Sequence, residues 1–72
     1  MDAYQEGEEI FWQIFGELEG LDSGIVEHKQ LQDTLILTGN FYAGDAHYII
    51  EQMLKSGQIV EVEGEFHRYK RR

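Results

Sequence analysis

The chain has 72 residues, a net charge of −8 and no cysteine, so it reads as one domain, 1–72, without disulfides, thiolate zinc sites or a thiol nucleophile. At 42% hydrophobic, with four Phe, four Tyr and one Trp, it is globular rather than disordered, and so short a domain must pack its core efficiently. The longest wholly apolar run, Leu35 to Leu37, excludes a membrane span, and the lack of cysteine together with no visible signal peptide leads to an expected cytoplasmic location.

A first helix is expected from near Asp2 to Leu18, where Ile10, Phe11, Ile14, Phe15 and Leu18 make an apolar face that Ala3, Tyr4 and Gly7 extend by a turn. Asp2, Glu6, Glu8 and Glu9 suit the positive end of its dipole, and Gly20 closes it. After the turn Leu21-Asp-Ser-Gly24, Ile25-Val26 form a short strand. A second helix follows from Glu27 or His28 to Leu37, with Leu31 and Leu35 as its core pair and Gly39 as its stop. Asn40 to Ala43 make a turn. In Gly44 to Gly57 the apolar residues Ala46, Ile49, Ile50, Met53 and Leu54 fall on one stripe of a 3.6-residue period, which makes a third helix with one buried face. Gly57 occupies the left-handed position that ends it. Gln58–Val62 and Glu65–Tyr69 are then β-rich runs around Glu63-Gly64, a two-residue hairpin signal.

Two stretches carry a resemblance across almost the whole chain: Val26-Glu-His-Lys-Gln-Leu-Gln-Asp-Thr-Leu35, and Ile49-Ile-Glu-Gln-Met-Leu-Lys-Ser-Gly-Gln-Ile-Val-Glu-Val62 followed by Phe66-His-Arg-Tyr69. In the order of its elements the chain resembles the winged helix-turn-helix family, an α+β fold of three helices with a C-terminal β-hairpin wing. Among its subfamilies it is similar to small haloarchaeal winged-helix proteins and to the C-terminal winged-helix domain of archaeal minichromosome maintenance helicases. It departs from the latter in its wing tip, Glu63-Gly64-Glu65, which lacks proline, and in having no preceding ATPase. Fourteen acidic residues against three lysines also fit the carboxylate-rich surface of a halophilic archaeal protein, a composition that an ordinary acidic domain shares. The Met1 start and the basic end are those expected of an intact chain.

The resemblance implies DNA binding by the third helix, whose outer face presents Tyr48, Gln52 and Lys55, flanked by Asp45, His47 and Glu51. Gln52 suits an adenine edge, Lys55 a guanine or phosphate, and Tyr48 a phosphate or thymine methyl. Residues 1–36 hold nine acids and Lys29 as their one base, whereas Arg68, Lys70, Arg71 and Arg72 gather at the end of the chain, where a wing strand meets the DNA backbone. The competing reading is a solvated face and terminus on an acidic protein-interaction module that does not bind DNA. Trp12 lies off the centre of the first helix's stripe. With Phe11 and Phe15 it is either the anchor of a homodimer or partner interface, or a cover over the hairpin that completes a small core. His47 and Glu51 have the i, i+4 spacing of metal ligands, but two ligands make no site, and no metal or cofactor is expected. Glu61, Glu63 and Glu65 surround an open hairpin tip and discourage edge pairing. With no nucleophile elbow and no phosphate-cradling glycine loop, an enzyme is not expected.

Overall fold

A computed structural model describes residues 3–21, 23–65 and 67–72, with side chains from residue 6 onward. The parts expected of Asp2, Asp22 and Phe66, and of the side chains of Ala3 and Tyr4, lie outside this description. The order is α1 (Ala3–Leu21), β1 (Val26–Glu27), α2 (His28–Leu37), α3 (Ala43–Lys55), β2 (Ile59–Glu61) and β3 (Arg68–Arg71). The fold is α+β: three helices with an antiparallel three-stranded sheet ordered β1-β3-β2, its last strand in the middle.

Each helix buries the stripe its sequence implies. Phe11, Phe15, Leu31, Leu35, Ala46, Ile50 and Met53 are all at most 1% exposed, with Ile14, Leu18 and Ile49 beside them in the same core. Leu54 is only partly buried at its edge. Phe11 and Phe15, expected to join Trp12 at an interface, have 0% exposure and are enclosed in the core of the chain itself. The reason is angular: both lie on the helix face that meets α2 and α3, while Trp12 is turned toward the rim.

The helix ends follow backbone chemistry more closely than glycine positions. Helix α1 runs past Gly20 to Leu21, and its end is made by a Gly24 N–H donating to the Glu19 carbonyl at 2.9 Å, with Ser23 in the left-handed region at φ 53°. For α2 the left-handed residue is Asn40, φ 60°, and not Gly39. Gly39 serves close approach: a Cβ there would lie 2.8 Å from the Leu35 carbonyl oxygen and 3.1 Å from both Ile10 Cγ2 and Ile14 Cδ1. Helix α3 stops as expected. Gly57 has φ 77°, its N–H donates to the Leu54 carbonyl, and that of Gln58 to the Met53 carbonyl, both at 3.1 Å, the paired bonds of a Schellman ending.

The hairpin register differs from expectation. A two-residue turn at Glu63-Gly64 would set Val62 opposite Glu65, but the pairs are Ile59↔Arg71, Val60↔Lys70 and Glu61↔Tyr69, and the Val62 N–H donates to the Arg68 carbonyl at 2.8 Å. The Glu65 N–H still closes a turn onto the Val62 carbonyl at 3.0 Å, after which left-handed His67, φ 63°, takes up the extra chain. Moving the register by three residues, an odd number, exchanges the two faces of β3. The packing energy explains the choice: Tyr69 goes inward, 3% exposed, beside Val26 and Ile59 at 1% and 0%. Arg68 and Lys70 are left on the solvent side, with Arg72 following them beyond the end of the strand.

Candidate nucleic-acid interface

Because side chains alternate along a strand, the basic end divides into two sets. Arg71 shares the inward face of β3 with Tyr69, at the rim of the core. Its Nε donates to both carboxylate oxygens of Glu19, at 2.8 and 2.9 Å, and its guanidinium carbon lies 4.7 Å from the centre of the Trp12 ring and 5.9 Å from that of Phe15. A Cβ on Gly16 would be 3.6 Å from Arg71 Nη2, so the side chain lies along one stripe of α1, over Trp12, Gly16 and Glu19. Trp12 itself packs edge-on to Phe11 and Phe15, with ring centres 5.2 and 5.6 Å away. Trp12 is partly buried against the core, as the expected cover over the hairpin would be. Arg71, expected to meet nucleic acid, is held in the fold by this ion pair and ring contact.

Arg68, Lys70 and Arg72 form the outward set. Arg68 is hemmed by carboxylates, with Glu27 opposite it on β1 and Glu65 Oε1 3.8 Å from its Nη1. Lys70 lies opposite Val60, and Arg72 continues the strand through its N–H to the Gln58 carbonyl at 3.3 Å. Its Nη1 lies 3.1 Å from where a Cβ on Gly57 would be, which brings its charge to the C-terminal end of α3, the helix whose last turn holds Lys55. Lys55, Lys70 and Arg72 have no ion pair among the described residues.

The outer face of α3 divides along its length. Lys55 is exposed at the C-terminal end and Gln52 is half-buried one turn earlier. The first turn is acidic, with Asp45 exposed, and in the middle of the helix Glu51 Oε1 pairs with His47 Nε2 at 3.2 Å. Tyr48, 56% exposed, belongs with these carboxylates and not with Lys55. His47 and Glu51 gain no third ligand; no group of three or more metal-ligating side chains exists among the described residues.

A second arrangement ties the sheet to the start of α2. The Tyr69 hydroxyl and His28 Nδ1 are 2.7 Å apart and share a hydrogen bond, while the His28 backbone N–H donates to the His67 carbonyl at 2.6 Å. Burial raises the Tyr69 pKa above the ordinary 10.0, and the charge of Glu61 acts in the same direction. A pKa raised by folding means that the protonated hydroxyl stabilises the native state below the unfolded value, and this contribution disappears as pH rises through the folded one. The thermal midpoint is therefore expected to fall above about pH 10 more steeply in the wild type than in Tyr69→Phe, measured against each protein's own neutral value. Equal slopes would remove Tyr69 as the cause.

A hollow between α1 and α3 is lined by Tyr48, which was expected to meet nucleic acid, and by Phe41 and Tyr42, which were not expected at any site. Their signal in the sequence is the spacing Tyr42, Asp45, Tyr48, which becomes one edge of a helix only once Tyr42 is known to cap α3. No described helix is long and apolar enough to cross a membrane. Compared with protein-family models, curated proteins and solved structures, the chain shows no match.

Proposed function

We propose that this chain is a winged helix-turn-helix protein of the cytoplasm that acts by binding, not by catalysis, and that it holds DNA through the phosphate backbone as a regulator or accessory factor. The supporting observation is that Lys70 and Arg72 follow each other on the outward side of the central strand, while the Arg72 guanidinium reaches the C-terminal end of α3, the helix that carries Lys55 in its last turn. In this reading the sheet is the wing and α3 the recognition helix, entering by its C-terminal end, because the Asp45 carboxylate repels phosphates from the first turn and Glu51, paired with His47, lies between that turn and Lys55. Gln52 is the one side chain of this set suited to a base edge.

Three cations release about three counterions, so log affinity should fall with log salt at a slope of about −3. Binding is expected to be weak and to depend little on sequence. The check is fluorescence anisotropy of a labelled mixed-sequence duplex from low to high salt. Lys55→Gln/Lys70→Gln/Arg72→Gln should abolish binding, while Arg71→Gln should lower the melting temperature and leave the salt slope as it was. Negligible affinity of the wild type at the lowest salt would end the DNA reading.

A further inference from the structure

A groove of about 480 Å³ runs between the N-terminal halves of α1 and α3. It exists because two glycines line it. Gly7 leaves α1 without a side chain opposite Phe41, its missing Cβ 3.7 Å from Phe41 Cζ, and Gly39 lets the chain between α2 and α3 pass close to Ile10. Phe41 and Ile49 contribute apolar surface, and two tyrosines stand at the mouth, Tyr42 81% and Tyr48 56% exposed. Large aromatic side chains this open to water are uncommon in so small a domain, where burying them is the main source of stability.

The charge of the groove has one sign. Glu6 on α1 and Asp45 on α3 line it from either side, and no lysine, arginine or histidine does. Neither carboxylate has an ion pair among the described residues. Aromatic faces beside unpaired carboxylates attract a cation twice, through the ring quadrupole and through its charge, and an apolar floor receives the methylene stem of a lysine or arginine. A nucleic acid is repelled here, and an acidic partner equally so.

We propose that this groove binds a basic segment of a partner protein, seating a lysine or arginine side chain between Tyr42 and Tyr48 with its charge on Glu6 and Asp45 and an adjacent apolar residue on Phe41 and Ile49. The site is separate from the corner of Lys55, Lys70 and Arg72 and does not rest on DNA binding. A protein with both surfaces joins a basic partner at one end to its other ligand at the opposite end of α3.

The test uses the full chain and a short amidated peptide of alternating arginine and leucine, with its glutamate-leucine counterpart as control, followed by calorimetry and by amide chemical shifts. The arginine peptide should bind and move the signals of Gly39, Tyr42 and Tyr48, and the glutamate peptide should not bind. Glu6→Gln/Asp45→Asn should weaken binding at least tenfold, as should Gly7→Leu, which lays a side chain into the groove. Each variant's melting curve confirms that it is folded. Glu61→Gln/Glu63→Gln removes the same charge from the distant hairpin tip and should leave affinity within twofold. Equal losses from the two charge-removing pairs would show attraction to net charge alone and overturn the proposal. So would shifts confined to the sheet, or full affinity in Gly7→Leu.

Discussion

Phe15→Ala is expected to cost about 3–5 kcal/mol, the usual range for truncating an enclosed phenylalanine. A chain of this length has about 4–11 kcal/mol of stability in all, so the substitution removes roughly a quarter of it or more. Two things act together. The side chain is 0% exposed, so its removal leaves a cavity that the surrounding α2 and α3 residues fill only in part. It also supports Trp12 through an edge-on contact at 5.6 Å, and through Trp12 the seat of Arg71. Trp12→Ala should cost less, about 1–2 kcal/mol, because that ring lies at the rim and is only partly buried. Urea denaturation followed by circular dichroism measures both. An unchanged urea midpoint for Phe15→Ala, with a smaller particle by light scattering, would return Phe15 to an interface and overturn its place in the core.

Gly39→Ala should lose about 1–3 kcal/mol although it adds one methyl group. The new carbon meets the Leu35 carbonyl oxygen at 2.8 Å, a backbone atom that cannot rotate away, and also Ile10 and Ile14 at 3.1 Å. Relief requires α1 to move off the end of α2. Gly20→Ala is the matching control, since nothing lies within 4 Å of a Cβ at that helical position. There the substitution should raise stability by up to about 1 kcal/mol through helix propensity alone. Melting temperatures that move in opposite directions would separate close packing from backbone freedom, and a neutral Gly39→Ala would refute the steric account.

Periodicity was a good guide to the helices because it reports burial, which is what stabilises a helix in a short chain. The stripe on α3, the Leu31–Leu35 pair and the Schellman stop at Gly57 all lie where local pattern puts them. Local pattern misled where the chain had alternatives of nearly equal local energy. Glu63-Gly64 is a sound turn signal, and a turn forms there, but the strands pair three residues out of the register that turn implies. Burial of Tyr69 against Val26 and Ile59 outweighs the shorter loop. The same competition decided Gly39 and Asn40: either can end a helix, and contact with α1 assigns the tight space to one and the left-handed angle to the other.

The candidate surfaces follow from this. That the chain carries a basic end, an acidic first half and many aromatic residues was written in its composition, because charge and residue type are local properties. What each of those side chains packs beside was decided by the register of β3 and the approach of α1 to α3. Register lays Arg71 against Glu19 and Trp12, with half of its side chain still exposed, and leaves Lys70 outward, with Arg72 beyond it. The close approach of the two helices at Gly7 and Gly39 opens a groove between Tyr42, Tyr48 and two carboxylates far apart in sequence. Both depend on contacts between distant segments, whose energies no local pattern contains.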